Sequence, residues 1–524
     1  MGASNWLLVV GLLWLSPPAR AHNAKQRARV STIKLAAISL VDHAKPNSGV
    51  RAVVGRVEKH PANPLLVQDT PWELRIDNGY PNILRTPSGT WELFYGTCFD
   101  GCHKQVLLYA NSTDGLRWRK PSLGLFDAGA VDPTLKHVGK ANNMVLEGGG
   151  IGVIRDETAA PSQRYVAFGP GCYTHADDGS CSLSWARDVK GGALRVQYPS
   201  QDLAFSTDGL TYGDARSIMW PSPQRWDCHN NLVHESTADH QAPLAASSSS
   251  SSVRSPTARR WLATTRDGFS GPIGRAIGIA SSLGDTLQFN TTMAPANTLS
   301  GNADFQLYSQ ITFRWNNVYL GIVMVYEETS VKQRVRCRLA WAPADGVASE
   351  GAWQWVDAAG LQGAELIPLG AGGSETFDSH ICFAAARPVS LGGRELLYYM
   401  GGNGPHSGAR NSSLGLATLR ADGFAALASY GPPGAGAGAV RTIPLLVTGG
   451  TLRATVDVAE GGEVHIGCPA VASLDAGLAM PITRNVTDAP IQYESGADFS
   501  QLVGSMVVLE LRIKKASIYT VSFV

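Results

Sequence analysis

The sequence predicts an all-β protein, a five-bladed β-propeller followed by a small β-sandwich-like C-terminal domain. Three observations support this fold class. A unit of successive strands ending in an Asp/Gly turn recurs five times along the chain. The composition includes 57 glycines, which suit a chain with many tight turns. No segment shows a sustained helical apolar period, which argues against an α/β fold.

Each repeated unit contains three recognisable strands. A short strand opens the unit, at residues 80–85, 150–155, 230–235, 308–314 and 379–387. A strand rich in aromatic or β-branched residues follows, at 91–96, 164–169, 260–266, 318–326 and 395–402. The third is an apolar run into the Asp/Gly turn, at 107–118, 203–212, 277–289, 338–346 and 414–424. With a fourth strand expected after the turn, each unit predicts a four-stranded antiparallel blade. An array of β-sandwiches is the weaker alternative, because the same elements agree in all five copies.

The N-terminus has the pattern of a secretory signal peptide over residues 1–21. A short apolar run, 6–15, precedes the A-x-A cleavage pattern at 19–21, and that run is too short to span a bilayer. Eight cysteines and the N-x-S/T sequons at Asn111, Asn290, Asn411 and Asn485 agree with this compartment. We therefore expect a secreted glycoprotein, extracellular or in the lumen of the secretory pathway, with no membrane span in the mature chain.

The cysteine spacings suggest disulfides rather than a metal site. Cys98 and Cys102, and likewise Cys172 and Cys181, are near enough in sequence to close small loops. The pairing of Cys228, Cys337, Cys382 and Cys468 is left open by the sequence. No C-x-x-C pair or matching histidine pair is present, so we expect no zinc and no cofactor.

Composition changes divide the rest of the chain. We expect a lead-in segment at 22–59, the propeller at 60–430, a Pro/Gly linker at 431–440 and the β-sandwich-like domain at 441–524. The last region alternates cleanly at 451–458, 463–468, 507–513 and 517–523. Charged residues are only 17% of the chain and the net charge is +1, so nucleic acid is a poor candidate partner.

An acidic residue lies at or near the start of each unit's first strand, where the side chains of a propeller converge on the central channel. These residues are Asp77, Glu147, Asp227, Asp304 and Asp378. Glycosidases need such a set, because one carboxylate must be ionised while another is held protonated as the acid. The competing interpretation is that each acid caps a turn through its own backbone.

Two of these acids are the strongest catalytic candidates. Asp77 and Asp227 are each followed by polar or glycine residues where alternation alone predicts apolar ones, and Glu147 is the third candidate. We assign substrate binding to polar residues beside the aligned acids or in the Gly-rich loop after residue 402: Asn78, His229, Asn230, Asp304, Asp378, His380, His406 and Arg410. A structural histidine is the alternative for each imidazole. A metal site built from Asp227, His229, Asp378 and His380 is a further alternative.

The turn at 112–118 looks like the Asp-box of sialidases but is one residue shorter. That turn is structural and lies away from active sites. A sialidase-like site also needs an arginine cluster, and none is visible in the sequence.

With these residues in place, the chain resembles the five-bladed propeller glycoside hydrolases of families 32, 43 and 68. The nearest likeness is to uncharacterised proteins with a family-32-type N-terminal domain. The resemblance covers about residues 60–430 and rests on the Asp/Gly turns and three motifs: DNGYPNIL at 77–84, DCHNN at 227–231 and YYMGGNGPH at 398–406. It implies that Asp77 is the nucleophile or base of the first blade.

This chain departs from the family at the other carboxylates. The W-x-N-D-P-N, R-D-P and E-C motifs of typical invertases are not reproduced, and Arg155-Asp156 imitates the second only superficially. The general acid is therefore unassigned, with Glu147 and Asp227 as candidates and Glu327 a distant third. Sucrose or fructan specificity does not carry over. We expect hydrolysis of an oligo- or polysaccharide. The alternatives are a non-catalytic carbohydrate-binding propeller, a propeller lyase and a phosphate-dependent glycosidase.

Overall fold

The computed structural model describes residues 34–42, 49–76, 80–99, 104–169, 171–172, 201–218, 231–235, 260–267, 274–282, 299–344, 351–431 and 436–524. All of them belong to one compact unit, Thr32–Val524. The predicted signal peptide lies outside the described residues. Within them the protein is all-β, which confirms the predicted class.

Helix is confined to very short segments of the described chain. The only α-helix there is Ala128–Val131, capped by the side chain of Asp127. The remaining helical turns are 3-10: Ala37–Leu40, Pro133–Leu135, Pro161–Gln163, Gly360–Gln362, Gly373–Glu375, Ala472–Leu474, Ala476–Leu478 and Ser500–Leu502. No helix in the described ranges is both long and apolar enough to cross a membrane.

Three antiparallel sheets follow one another in the first half of the chain. Sheet I contains Asn82–Arg85, Trp91–Phe99, Lys104–Ser112 and Met144–Gly148, with Gly171–Cys172 at its edge. Sheet II contains Gly152–Arg155, Tyr165–Gly169, Gln201–Ser206 and Gly213–Ile218. Sheet III contains Asn231–Glu235, Arg260–Asp267 and Ala276–Ser281. The strands predicted in these repeats overlap observed ones, and residues 283–289 of the third predicted run of sheet III lie outside the described residues.

Two further groups of strands share a single bridge. Sheet IV contains Phe305–Trp315, Val318–Glu327 and Val335–Pro343, with Gln354–Trp355 and Glu365–Ile367 paired on the last. Sheet V contains Ile381–Ala384, Arg394–Gly402 and Ser412–Arg420, with Val389–Leu391 beside the second strand. Val335 and Ile381 form the bridge, and a disulfide between Cys337 and Cys382 links the same two strands.

The N-terminal segment supplies the outer strands of sheet V. Glu58–Lys59 and Leu66–Val67 both pair antiparallel with Ser412–Arg420. Strands from the N-terminal segment and from residues 412–420 therefore pair in one sheet.

The Asp/Gly turns of sheets I and II have the same bonding. Ser112 Oγ accepts from the backbone N–H of Gly115 at 2.9 Å, and Asp114 Oδ1 accepts from Leu116 N–H at 2.8 Å. Ser206 and Asp208 repeat these contacts at 2.9 Å. Gly115 and Gly209 have φ of 75° and 77°, a region that glycine enters without steric cost. These turns are structural, as the sequence predicts.

Two buried asparagines connect the first strands of different sheets. In sheet I, Asn82 donates to Ile151 O at 3.0 Å and accepts from Val153 N–H at 3.0 Å, which joins it to sheet II. In sheet III, Asn231 donates to Ala386 O at 3.0 Å and accepts from Thr312 N–H at 3.1 Å. A backbone bond of 2.9 Å from Ala386 N–H to Pro81 O joins sheets V and I. The side-chain amides of Asn82 and Asn231 thus form hydrogen bonds with backbone groups at strand edges, where no neighbouring strand supplies a partner. The described strands do not form one closed hydrogen-bonded sheet.

A sixth sheet is built mainly from the C-terminal region. Its long strands are Leu452–Gly467 and Glu510–Phe523, beside Val486–Pro490 and Gly438–Arg441. Each long strand replaces two predicted ones. The first stays continuous through a register shift between Val458 and Glu463, where a bulge absorbs the extra residues. Leu445–Leu446 and Met506–Val507 form a separate small pair.

This sheet also draws in strands from outside the C-terminal region. Leu35–Ala36, Val50–Val54 and Ala425–Ser429 all belong to it. Its apolar core combines residues from both ends of the chain, such as Leu40, Val464 and Ile518. The segment predicted as a linker, 431–440, ends within the strand Gly438–Arg441.

Candidate functional site

Six of the predicted site residues fall within the described chain. They are Glu147, Asp304, Asp378, His380, His406 and Arg410. The other five, Asp77, Asn78, Asp227, His229 and Asn230, lie outside the described residues.

Aromatic rings from three sheets meet near the start of their first strands. Tyr80, Tyr308 and Phe383 come from sheets I, IV and V, and all are at most 3% exposed. The ring centroids of Tyr80 and Phe383 are 5.2 Å apart, and those of Tyr308 and Phe383 are 5.4 Å apart. Tyr326, on the second strand of sheet IV, packs edge-on against Tyr308 at 5.8 Å. These four rings form a buried aromatic floor.

His406 rests on this floor. Its ring lies 4.9 Å from the ring of Tyr308 and 4.8 Å from that of Tyr326. A hydrogen bond of 2.9 Å joins His406 Nε2 to the hydroxyl of Tyr308. The loop after sheet V's second strand carries His406, and its two ends are tied by a 2.8 Å bond from Asn411 N–H to the Asn403 side chain.

Four arginines surround the floor. The guanidinium carbon of Arg266 lies 4.2 Å from the Tyr308 ring centroid, and that of Arg275 lies 5.4 Å from it. Arg75 and Arg410 both donate to the backbone carbonyl of His406. We call the four rings, His406 and these four arginines the Tyr308 cluster. Arg75, Arg275 and Arg410 are partly exposed, whereas Arg266 is buried.

Two backbone positions with left-handed φ support the cluster. Tyr80 has φ of 48° and Gln333 has φ of 41°, a region that non-glycine residues rarely adopt. The carbonyl of Gln333 accepts from His406 N–H at 3.1 Å, so the strained residue fixes the histidine's backbone. Strain retained in this way is typical of preorganised sites.

The electrostatics of the cluster keep His406 neutral. Burial lowers the pKa of His406, and the positive charges of Arg410, Arg75, Arg275 and Arg266 lower it further, to about 2. The imidazole therefore offers a hydrogen-bonding group without charge at neutral pH. Glu328 accepts an ion pair from Arg275 at 2.8 Å and neutralises part of the positive charge.

His380 and Arg410 line one cavity of about 700 Å³ together with the Gly404–Pro405 turn. His380 Nδ1 is hydrogen-bonded to Ser379 Oγ at 2.8 Å. Burial, followed by the charges of Arg334 and Lys332, lowers the pKa of His380. The structure thus brings together His380, His406 and Arg410, three of the predicted substrate-binding residues.

Asp378 has a different environment. Its carboxylate is buried and one oxygen accepts both from Lys59 Nζ at 2.5 Å and from the Tyr399 hydroxyl at 2.7 Å. Burial, followed by the charge of Asp378, raises the pKa of Tyr399. Lys59 and Asp378 line a separate cavity of about 730 Å³ with Phe377 and Glu375, which we call the Asp378 pocket.

Three other described acids from the sequence analysis are Asp304, Glu147 and Asp156. Asp304 is exposed, and its carboxylate accepts from the Thr329 hydroxyl at 2.6 Å. Glu147 lies in the last strand of sheet I, paired with Val106, and not in the first strand of sheet II, which begins at Gly152. Asp156 accepts from the backbone N–H and the hydroxyl of Thr158 in the turn after the first strand of sheet II.

The described residues contain no group of three or more His, Cys, Asp or Glu side chains placed to hold a metal ion. The Tyr308 cluster combines arginine guanidinium groups, tyrosine hydroxyls and the neutral imidazole of His406 with aromatic rings. Such a set can bind polar ligands and, above all, oxyanions, because guanidinium groups match their geometry.

The sequence does not mark any group of arginines, yet four of them lie near His406 in the structure. Arg75, Arg266, Arg275 and Arg410 stand far apart in the sequence and converge only when sheets I, III and V assemble. The sequence also does not single out Tyr308 and Tyr326 as site residues, because each occupies an ordinary apolar position of a strand. Only His406 and Arg410 were recognisable, because they share one short Gly-rich loop.

No protein-family model matches the sequence, and no curated protein is significantly similar to it. Among solved structures, the chain is similar to an N-acetylgalactosamine deacetylase from F. plautii, with 12% identity over 71% of this chain and 96% of that one, TM-score 0.41. It is similar to a family 32 β-fructofuranosidase from Bombyx mori, with 10% identity over 89% and 93%, TM-score 0.35. It is also similar to an endo-arabinase from Bacteroides thetaiotaomicron, with 10% identity over 66% and 96%, TM-score 0.36.

Glycoside hydrolases are thus among the solved structures similar to this chain, as the sequence resemblance predicts. At these identities and TM-scores neither the activity nor the site of any of them is carried over. We therefore infer function from the residues of this chain.

Proposed function

We propose that the protein is a secreted glycoside hydrolase whose active site includes the Tyr308 cluster. The observation that carries this proposal is the convergence of polar groups from several sheets over a buried aromatic floor. Aromatic faces with a few placed hydrogen-bonding groups are the usual chemistry of sugar sites.

Chain order connects the proposed catalytic acids with this cluster. Asp77 stands in the sequence between Arg75, which donates to His406, and Tyr80, which packs on Phe383. Asp227 precedes Asn231, the buried residue that joins sheet III to sheets IV and V. Both acids therefore flank chain segments that contact other sheets near the starts of the first strands.

The proposed roles follow from this placement. Asp77 acts as nucleophile or base, and Asp227 is the leading candidate for the acid, with Glu147 as the alternative. His406, His380 and Arg410 hold the sugar, together with Asn78, His229 and Asn230. Because His406 stays neutral, it positions hydroxyls and does not serve as the acid.

We further propose that sheets I to V are the five blades of the propeller expected at 60–430, followed by a β-sandwich-like domain at 441–524. The asparagine bridges between first strands support it. The outer strand Glu58–Lys59 begins just before that range, and Ala425–Ser429 at its end belongs to the sixth sheet. A compact chain of this length has a radius of gyration of about 24 Å. A much larger radius in X-ray scattering would indicate an open array of sheets.

Secretion is part of the same proposal. The sequons at Asn411 and Asn485 are exposed, as glycosylation requires, and Cys337 and Cys382 form a disulfide. Expression in a eukaryotic secretory host should deliver glycosylated protein to the medium. Retention in the cytosol without glycans would contradict this.

The activity is tested by a reducing-sugar screen of the secreted protein over a broad glycan panel. Wild type should release reducing ends, and Asp77→Asn and Asp227→Asn should lower kcat by about a thousandfold or more, in line with the loss of an essential acid or base. Asp498→Asn, an exposed change in the C-terminal region, is the matched control and should retain full activity. Full activity of Asp77→Asn would show that Asp77 is not the nucleophile or base. Glycan binding without release from wild type would identify a non-catalytic binding protein.

A further inference from the structure

We propose that an N-linked glycan on Asn411 covers the mouths of the Asp378 pocket and of the cavity beside Arg410, and so limits access to the proposed site. This inference rests on the proposed function, because a chain receives such a glycan in the secretory pathway. It adds a regulation of that site: protein molecules that carry the glycan are closed to ligands for more of the time than molecules that lack it.

The first support is the position of the attachment residue. Asn411 lines both cavities, as does Asn403 at the other end of the loop. Asn411 is exposed and begins the N-x-S sequon that ends at Ser413. A glycan attached to its side-chain nitrogen therefore starts at the rim that the two cavities share.

The second support is the set of hydrogen bonds that hold this loop. Asn411 N–H donates to the Asn403 side chain at 2.8 Å, and Asn403 N–H donates to the Asn411 carbonyl at 3.2 Å. In the middle of the loop, His406 N–H and Ser407 N–H both donate to Gln333, at 3.1 and 3.0 Å. The glycan therefore starts from a point that the fold holds in place.

The third support is the size and the polarity of the surface beside Asn411. The cavities have volumes of about 730 and about 700 Å³, and an N-linked glycan is a bulky, polar group. The Asp378 pocket presents the side chains of His60 and Glu375 and the partly buried ring of Phe377. Sugars pack well on such a combination of polar groups and an aromatic ring.

The consequence for the proposed site is exclusion. His380 and Arg410, both assigned to substrate binding, line the cavity that Asn411 borders. A glycan over its mouth therefore shields these two residues from a ligand in solution. No bond to the substrate is made or broken by the glycan, so its effect is on access alone.

The test uses two substitutions at the third residue of the sequon. Ser413→Ala removes the sequon and keeps Asn411, whereas Ser413→Thr preserves the sequon and places a residue that suits the strand Ser412–Arg420. Wild type and both variants are made in a eukaryotic secretory host, and peptide mass spectrometry measures glycan occupancy. Asn411 should carry a glycan in wild type and Ser413→Thr and none in Ser413→Ala. The exposed Asn485 should carry one in all three proteins.

Two histidines then report whether the cavities are covered. His60 lines the Asp378 pocket and His380 lines the cavity beside Arg410, and both are partly buried. Diethyl pyrocarbonate modifies neutral imidazole rings at a rate that depends on their accessibility. If the glycan covers each mouth for half of the time or more, both rates should be about twofold or more higher in Ser413→Ala than in Ser413→Thr. His137, which is exposed and outside both cavities, is the internal reference and should react at one rate in all proteins.

A second variant separates loss of the glycan from an effect of the smaller side chain. Asn411→Gln removes the same glycan and leaves Ser413 in place, so it should repeat the faster rates of Ser413→Ala. An unchanged rate for either His60 or His380 in both variants would overturn the inference. A glycan found on Asn485 and not on Asn411 in wild type would also overturn it.

Failure of the proposed function gives a different result. Absence of glycans from both sequons would refute the proposed secretion, and the inference with it. Faster modification of both histidines in the variants, with no release of reducing sugar by any of the proteins, would refute the proposed hydrolysis and leave the inference standing.

Discussion

The Asp378 pocket and the Tyr308 cluster lie on either side of the same loop, yet they differ in charge balance. Asn403 and Asn411 line both the Asp378 pocket and the cavity beside Arg410. In the pocket, the carboxylate of Asp378 faces one cation, Lys59, and a phenol. In the cluster, four guanidiniums face a neutral imidazole and aromatic rings.

The charges of the Asp378 pocket stabilise the fold, whereas we assign the charges of the Tyr308 cluster to the proposed binding site. Asp378 satisfies two donors that the fold itself supplies, and Lys59 belongs to the N-terminal strand that completes sheet V. The contact therefore holds the chain's beginning to sheet V. The arginines of the cluster hold a loop and stack on rings while three of them stay partly exposed.

The largest stability effect should come from the pocket. Asp378→Ala leaves the Lys59 ammonium and the buried Tyr399 hydroxyl without their shared acceptor, which should lower the free energy of unfolding by about 3 kcal/mol. Denaturant unfolding measures the loss. Adding Lys59→Met to this variant should recover part of it, because the stranded charge is removed. An unchanged unfolding midpoint for Asp378→Ala would show that the pair does not hold the fold.

The second largest expected effect is a pH dependence of the free energy of unfolding, caused by His406 in the Tyr308 cluster. The folded pKa of His406 is lowered to about 2 from an ordinary value of 6.5, so only the unfolded chain gains its proton between those limits. The stability cost is therefore absent above pH 6.5 and grows by about 1.4 kcal/mol for each pH unit below it. The charges that act on the ring are those of Arg75, Arg266, Arg275 and Arg410, the rings of Tyr308 and Tyr326 pack against it, and Glu328, which pairs with Arg275, is an acid near the cluster among the described residues.

Relative to wild type, His406→Gln should therefore gain about 2 kcal/mol between pH 7 and pH 5. Unfolding curves at the two pH values measure this difference. His137→Gln, at an exposed histidine, is the matched control and should show no such gain. A pH-independent difference between wild type and His406→Gln would mean that folding does not lower the pKa of His406.

The smallest effect concerns the Asp/Gly turns, which lie away from both regions. Ser112→Ala removes the acceptor for two backbone N–H groups and should cost about 1 kcal/mol. Ser206→Ala in sheet II should cost the same, because its contacts repeat those of Ser112. Neither should change glycan binding. Unequal costs would contradict the equivalence of the two turns.

The sequence predicts much of the secondary structure and little of the site, for a physical reason. Strands depend on local alternation and turn residues, which is why 91–96 and 414–424 overlap the observed Trp91–Phe99 and Ser412–Arg420. Contacts between sheets depend on positions far apart in the chain. Lys59 is 319 residues from Asp378, and Arg75 is 331 residues from His406.

The same reason explains which strand boundaries and residues were misread. Glu147 reads as the approach to a first strand, although pairing with Val106 makes it the end of sheet I. The bulge at Val458 and Glu463 keeps one strand continuous where the glycines suggest a turn. Arg266 shows no local signal at all, because its importance comes from the Tyr308 ring contributed by sheet IV.

A crystal structure of Asp77→Asn soaked with an oligosaccharide that the wild type cleaves tests most directly which of the two regions is the sugar site. We predict a sugar beside the Tyr308 cluster, within hydrogen-bonding distance of at least one of His380, His406 and Arg410. A sugar bound in the Asp378 pocket, with none beside the cluster, would contradict the proposed site.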